Sequence, residues 1–277
     1  MFLSTLVRSG ARRGQLAGLA LILALGAGAP PTAFAQPAPT ADWWSAIRRD
    51  DVSAVQGMLL RHTDPNALNA LGNPALTQAA RDQSWKVFDA LRTAPDVLID
   101  APNARDETAL MYLCILGQTD RARALISAGA QVNRLGWTPL HYAASKAQVD
   151  TARMLIGQGA IVNAPGPDGT TPLMMAALSG KPDIVRLLLA HGADPTMFNA
   201  AHETAADWAR KRQHQSLAAG LDDAARRARN RRDDGPAPAA NGPDPAPQAP
   251  APEAKDDASS FSRYFDLGRF EDTPQGR

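Results

Sequence analysis

The sequence predicts an all-α fold, a solenoid of stacked helix-turn-helix units with a capping repeat at each end. Two short patterns recur in phase along the chain, one where a helix begins and one where the next helix ends. The composition agrees with this fold. Aromatic residues make up only 5% of the 277 residues, so the core is mainly aliphatic and rich in alanine, which suits closely packed helices better than a β-sandwich.

The first pattern marks the start of a helix. Its clearest copies are residues 138–144 and 171–177, where Thr-Pro-Leu opens a stretch that ends in Ala-Ala. Threonine is a good N-cap, and proline is tolerated in the first turn of a helix. Looser copies begin at residues 73, 108 and 204. Four leucines keep the register in steps of 34, 30 and 33 residues: Leu76, Leu110, Leu140 and Leu173.

The second pattern marks the end of a helix. A glycine-alanine pair follows each leucine-rich stretch, at residues 129–130, 159–160 and 192–193. Glycine provides the left-handed backbone turn that stops a helix. The dipeptide Asp168-Gly169 predicts a turn at the tip of the next finger-like loop. Because no single unit can bury its own apolar face, we expect the units to stack around one continuous core.

Together these residues resemble the ankyrin repeat, whose signature is Thr-Pro-Leu-His-x-Ala-Ala, a second helix and then Gly-Ala. The resemblance covers roughly residues 42–230. Residues 42–61 resemble a divergent first helix pair and residues 203–232 a polar last pair, so we expect the ankyrin-repeat domain to span residues 42–232. The resemblance implies an L-shaped stack whose concave side is formed by finger-like loops and by the first helix of each pair.

Arginines crowd the last turns of the final predicted helix. Cations are favourable at a helix C-terminus, and acidic residues at positions 222, 223, 233 and 234 flank them. This structural role is favoured over a patch that binds anions or nucleic acid. The net charge of +1, from 29 basic and 28 acidic residues, likewise predicts no nucleic-acid partner. The arginines are Arg226, Arg227, Arg229, Arg231 and Arg232.

Residues 1–35 are predicted to be a secretory signal peptide. Three arginines precede an uncharged run over residues 16–29, and Ala-Phe-Ala at residues 33–35 is typical of a cleavage site. An uncleaved anchor is disfavoured, because an apolar run of about 14 residues is too short to span a bilayer; the general export route is favoured over the twin-arginine route. We therefore expect a mature chain that begins at Gln36, has no membrane segment and is periplasmic or secreted. The alanine-rich, lysine-poor composition suggests a bacterium with a GC-rich genome.

The C-terminal part of the chain divides into two segments. Residues 233–258 are mostly Pro, Ala, Gly, Asn and Asp, which predicts a disordered linker. Residues 259–277 contain an aromatic cluster that is unusual for a bare tail and predicts a docking segment, either in cis or on a partner; a tail without a role is the alternative. The cluster consists of Phe261, Tyr264, Phe265, Leu267 and Phe270.

The sequence carries no pattern that favours catalysis, a cofactor or a metal. It has no glycine-rich phosphate loop, and its five histidines are scattered. The resemblance implies that His141 makes hydrogen bonds between adjacent loops. Cys114, the single cysteine, falls where other copies have the second alanine and is predicted to be a buried small residue rather than a nucleophile.

The resemblance places a partner protein on the loops and first helices, at the position before each threonine and at the positions after each Ala-Ala pair. An apolar patch of Ile115, Leu116, Trp137 and Leu178 would mark an interface; the alternative is that Ile115 and Leu116 are core. The candidate binding residues are Glu107, Ile115, Leu116, Trp137, Ser145, Lys146, Thr170, Leu178, Ser179, Lys211 and Arg212.

One step of the register is short. From Leu110 to Leu140 there are 30 residues instead of 33, and the missing residues fall between Asn133 and Trp137. That loop is therefore expected to be short and to leave a notch with Trp137 at its base.

Three functions follow from these observations. The favoured one is a non-catalytic binding module, monomeric alone, that holds a protein partner. A structural envelope protein that is tethered through residues 259–277 and an enzyme with an unrecognised site are the alternatives. A cleft with convergent titratable groups would favour the enzyme.

Overall fold

The computed structural model describes residues 40–233, which form twelve α-helices in six consecutive pairs. The pairs are α1 (Ala41–Arg48) and α2 (Val52–Leu59), α3 (Ala75–Asp82) and α4 (Trp85–Leu91), α5 (Ala109–Ile115) and α6 (Thr119–Ser127), α7 (Pro139–Ser145) and α8 (Val149–Gly157), α9 (Pro172–Ser179) and α10 (Pro182–Ala190), and α11 (Ala205–Lys211) and α12 (Gln215–Asp233). The predicted all-α repeat fold is confirmed.

Three of the predicted segments lie beyond residues 40–233. The signal peptide of residues 1–35, the linker of residues 233–258 apart from its first residue, and the aromatic segment of residues 259–277 all lie outside the described residues. Within residues 40–233, none of the helices combines the length and the apolar character that crossing a membrane requires.

The first helix of a pair begins as its threonine predicts. At α7 the backbone N–H of Thr138 donates to Nδ1 of His141 (3.1 Å), and Pro139 occupies the first turn. At α11 the N–H of Thr204 donates to the carboxylate of Asp207 (2.9 Å). The backbone N–H of Asp207 in turn donates to Oγ1 of Thr204 (3.4 Å). These exchanges satisfy backbone N–H groups that have no partner inside the helix.

The second helix of a pair ends as its glycine predicts. Gly129, Gly159 and Gly192 follow α6, α8 and α10 with φ of 107°, 84° and 87°. This region of φ is strained for residues with a Cβ atom. The glycines therefore turn the chain out of α6, α8 and α10 into the next finger loop.

The core runs along the whole stack. The leucines of the predicted register are all buried, with 3% exposure or less. Helices α5, α7, α9 and α11 pack side by side, and fully buried alanines such as Ala143 and Ala176 let them approach closely. At the two ends, α1 packs on α2 and α3, and α12 packs on α11. The predicted capping pairs therefore close the core.

Candidate functional site

The candidate site is built from the first helices α3, α5, α7, α9 and α11 and from the loop before each of them. We call these the first to fifth finger loops: residues 64–74, 98–108, 131–138, 161–171 and 194–204. Three of the positions that the sequence assigned to partner binding lie in these loops, and the others lie at the C-terminal ends of α5, α7, α9 and α11. The spacing of the loops is set by the stack of helices, because each loop leads directly into a buried helix.

Asparagine side chains join three of the four pairs of successive finger loops, and the carboxylate of Asp100, which accepts from the N–H of Gln131, joins the second loop to the third. Nδ2 of Asn133 donates to the carbonyl of Gly159 (2.8 Å), and Oδ1 of Asn133 accepts from the N–H of Ile161 (2.9 Å). Asn163 makes the same pair of hydrogen bonds one repeat later, to Gly192 and Asp194 (both 2.9 Å). Asn66 of the first loop makes the equivalent pair of hydrogen bonds to the carbonyl of Asp96 and the N–H of Leu98, at the start of the second loop. The loops are therefore held in fixed order relative to one another.

The structure places the eleven predicted binding residues in three environments. Glu107, Ile115, Ser145 and Thr170 are buried. Leu116, Trp137, Lys146, Leu178 and Ser179 are half-buried, and Lys211 and Arg212 are exposed. A buried side chain offers little surface to a partner, so the first group supports the face from beneath. For Ile115, with 3% exposure, the alternative reading as a core residue is confirmed.

Glu107 is the centre of a buried hydrogen-bond network. Its Oε2 accepts from the hydroxyl of Tyr112 (2.7 Å) and from Nδ2 of Asn103 (2.8 Å), and its Oε1 accepts from the hydroxyl of Tyr142 (3.2 Å). Burial, and then the negative charge of Glu107, raise the pKa of both tyrosines above the ordinary range. Both hydroxyls therefore stay protonated donors. Since Tyr112 belongs to α5 and Tyr142 to α7, the carboxylate ties two repeats together.

Trp137 lies at the base of the short third loop, as the register predicted. Its ring meets the His141 ring edge-on, with 5.2 Å between centroids. The backbone of Gly166 lies against the indole, and a Cβ atom at that position would come within 3.0 Å of the ring. The first, second and fifth loops carry Asn69, Asn103 and Asn199 at the equivalent position. Glycine at residue 166 is thus what makes room for the tryptophan.

His141 links two loops, which the resemblance implied. Nδ1 accepts from the N–H of Thr138, so the ring donates from Nε2 to the carbonyl of Thr170 (3.0 Å). Burial lowers the pKa of His141 to about 4. The ring is therefore neutral near pH 7 and acts as a structural connection.

Three other polar residues of the predicted set, Ser145, Ser179 and Lys211, have local partners. The hydroxyl of Ser145 donates to the carbonyl of Tyr142 (2.8 Å), and that of Ser179 donates to the carbonyl of Ala176 (2.6 Å). Lys211 forms an ion pair with Glu203, a surface pair of modest expected strength.

Sequence reasoning missed a row of exposed apolar side chains on the finger loops. Leu68 and Phe198 are each 58% exposed and Leu135 is 94% exposed; Pro102 and Pro165 are also exposed. We call these five residues the finger row. Their position in the sequence could have indicated this row, since Leu68, Pro102 and Phe198 each stand directly before an asparagine that begins a loop tip. An exposed apolar patch on a folded protein is typical of an interaction surface.

Among residues 40–233, no three side chains of histidine, cysteine, aspartate or glutamate form a group that would hold a metal ion. Cys114 is buried, and burial raises the pKa of its thiol, which makes it a poor nucleophile. An open groove between α8 and α10 is lined by Val149, Arg153, Asp183 and Leu187, among others.

The stacked helix pairs and their exposed loops define a repeat scaffold of the kind that binds other proteins. A family profile of three ankyrin repeats matches residues 89–166, 132–199 and 159–221. The chain belongs to the ankyrin-repeat family, and the ankyrin repeat is a protein-protein interaction module.

Solved structures extend this similarity. An ankyrin repeat domain from Acinetobacter baumannii is 28% identical with a TM-score of 0.56, over 66% of this chain and 97% of that one. A structure of a predatory endopeptidase from Bdellovibrio bacteriovorus in complex with an immunity protein contains a chain that is 26% identical, with a TM-score of 0.58, over 66% of this chain and 98% of that one. A search of curated proteins finds no significant match.

Proposed function

We propose that this protein is a non-catalytic binding protein that holds a partner protein on its finger loops and first helices, outside the cytoplasm. The observation that carries the proposal is the finger row, in which Leu135 at 94% exposure stands beside the half-buried Trp137. Tryptophan in a partly open notch is a favoured anchor for a partner. The exposed leucine supplies apolar area that a folded monomer has no reason to leave in water.

The rest of the face is suited to a rigid binding surface. The network around Glu107 and the asparagine links between loops fix the positions of the exposed side chains. A preorganised surface loses little conformational entropy on binding. The endopeptidase structure that contains a chain of this fold is a complex of two proteins, which supports a protein rather than a small molecule as the partner.

Export is the part of the proposal that depends on the N-terminal sequence. The arginines, the apolar run and Ala33-Phe34-Ala35 favour cleavage before Gln36 and a periplasmic or secreted location. N-terminal sequencing of the protein from separated cell fractions tests this. Mature protein that starts at Gln36 in the periplasm or the medium supports it, and an intact Met1 form in the cytosol contradicts it.

Affinity capture with matched variants tests the binding face. The mature chain and its Leu135→Asp and Leu60→Asp variants are used to capture proteins from the envelope of the native cell. Leu60 is the control because it is 83% exposed but lies at the end of α2, outside the finger loops. We expect one partner to be retained by the wild-type and Leu60→Asp chains and lost with Leu135→Asp. Equal capture by all three chains would reject the finger loops as the binding face.

A further inference from the structure

Four of the five finger loops present an apolar side chain at the same structural position. In each, the next residue donates its backbone N–H to the carbonyl four residues later: Asn69 to Asn73, Asn103 to Glu107, Gly166 to Thr170 and Asn199 to Glu203. The residues directly before these donors are Leu68, Pro102, Pro165 and Phe198, and all four are exposed. Their shared register places one apolar side chain per repeat along one edge of the stack.

Backbone hydrogen bonds join successive loops at both ends of this edge. The N–H of Ala104 donates to the carbonyl of Gly72 (3.1 Å), which joins the first and second loops, and the N–H of Ala200 donates to the carbonyl of Asp168 (2.8 Å), which joins the fourth and fifth. The short third loop contributes Leu135 between them. Since packed helices lie about 8–10 Å apart, successive members of the finger row follow at about that spacing.

The C-terminal segment carries apolar side chains with a matching period. Phe261, Tyr264, Leu267 and Phe270 are three residues apart. In a polyproline II conformation, with three residues per turn and a rise of 3.1 Å, these side chains lie on one face at steps of about 9 Å. A β-strand would place alternate members on opposite faces. Only the three-residue helix matches one side chain to one repeat.

The described chain ends in contact with the fifth finger loop. At the end of α12, the guanidinium of Arg232 donates to the carboxylate of Asp194 (2.5 Å) and to Oγ1 of Thr196 (3.2 Å). Both partners belong to the fifth finger loop, which also carries Phe198. A chain of 27 residues, the number from 234 to 260, reaches roughly 25–30 Å as a flexible coil. That length is sufficient to return along the loops.

We propose that residues 261–270 dock in cis along the finger row in an extended, polyproline II-like conformation, with one apolar side chain per repeat. The proposal goes beyond partner binding because it needs no partner. Where both contacts exist, the segment covers surface that a partner would use and competes with it. Because the linker keeps the segment at a high effective concentration, a weak contact is sufficient for occupancy.

A spin label on the full mature chain tests this docking. Ser262→Cys provides the attachment site, and the buried Cys114 does not compete for the reagent. We expect the nitroxide to broaden backbone amide signals of the finger loops and to leave those of α8 and α10 sharp. Phe198→Asp should restore the lost intensity. The matched control is Ile161→Asp, because Ile161 is 56% exposed but stands outside the finger row.

The period is tested on the segment itself. Leu267→Ser removes a member of the three-residue series and should restore intensity, whereas Phe265→Ser removes an aromatic side chain outside the series and should leave the broadening unchanged. Unchanged dispersion of the remaining amide signals shows that each variant is folded. Broadening that is absent, that Phe198→Asp does not reduce, or that appears only between labelled and unlabelled chains in a mixture overturns the proposal. None of these readouts requires the partner.

Discussion

Near their tips, the fourth and fifth finger loops meet through a backbone hydrogen bond, whereas the second and third meet there through the side chain of Arg134. In the first case the N–H of Ala200 donates to the carbonyl of Asp168 (2.8 Å). In the second, the guanidinium of Arg134 donates to the carbonyl of Asp106 (2.7 Å) and to its carboxylate (2.6 Å). The shortened loop has lost the residues that would make the backbone contact, and a long side chain makes it instead.

The structural effect of a loop deletion in a stacked array can therefore remain local. The helices on both sides keep their register, since Leu110, Leu140 and Leu173 are all buried with 1% exposure or less. Two features change. The contact between the tips of the second and third loops is made by Arg134 instead of the backbone, and the surface gains the notch at Trp137.

The largest effect is expected in the core. Leu140→Ala should lower the free energy of unfolding by roughly 2–5 kcal/mol, because it leaves a cavity at a fully buried position. Leu173→Ala, in the repeat with a full-length loop, should cost a similar amount. Urea unfolding of the mature chain measures both. Lys146→Ala is the surface control and should stay within about 0.5 kcal/mol; a loss equal to that of Leu140→Ala would show that the register is wrong.

Acid should weaken the fold through His141. The pKa of this histidine falls from 6.5 to about 4 on folding. As the pH drops below about 6.5, the unfolded chain takes up a proton that the folded chain does not, so the free energy of unfolding decreases until about pH 4. The total loss is roughly 3 kcal/mol. Urea unfolding at several pH values measures it.

The matched variant for the acid experiment is His141→Gln. It removes the titrating group at the junction of the third and fourth loops. The free energy of unfolding should then depend less steeply on pH between pH 6.5 and 4. If the free energy of unfolding depends equally on pH in the wild-type and His141→Gln chains, a group other than His141 causes the dependence.

A smaller effect is expected from equivalent glutamates in two loops. Glu107→Leu removes the buried carboxylate that accepts from two tyrosine hydroxyls and from Asn103, at a cost of roughly 1–3 kcal/mol. Glu203→Leu, at the same position of the fifth loop, breaks a surface ion pair with Lys211 and should cost less than about 1 kcal/mol. Thermal or urea unfolding compares them. Equal losses would mean that the Glu107 network contributes no more than the surface pair.

The smallest effect is expected at the side-chain joint. Arg134→Ala should cost about 1 kcal/mol, because the group it contacts, Asp106, is largely exposed. Hydrogen exchange should become faster in residues 103–107 and 134–137 and stay unchanged in residues 166–170 and 199–203. Arg105→Ala is the control on the same surface. Uniform protection in both variants would show that Arg134 does not hold the joint.

The helix boundaries were readable from the sequence because they depend on local chemistry. Thr138 and Thr204 cap helices, and Gly129 ends one, through groups only a few residues away. The short third loop was also predictable, since it follows from counting residues between two leucines. These features need no knowledge of distant contacts.

The candidate site was harder to predict from the sequence, because residues of several repeats together form its environment. Glu107 occupies a surface position of the repeat pattern, but Tyr112 and Tyr142 from two helices enclose it. The finger row was missed for the opposite reason. Each loop contributes one apolar residue, and Pro102 and Pro165 are easily interpreted as turn residues alone; the row exists only when the loops are stacked.

The asparagine joints have a consequence for how such an array changes in length. Asn133 and Asn163 each serve the carbonyl and N–H of the following loop, and the following loop supplies its own asparagine for the next. The unit that begins with the fourth finger loop thus carries one half of two identical connectors. Duplication of that unit inserts a segment whose connectors fit on both sides, and its excision rejoins compatible halves. Tandem gene duplication can therefore lengthen or shorten this scaffold by whole units without remodelling either terminus.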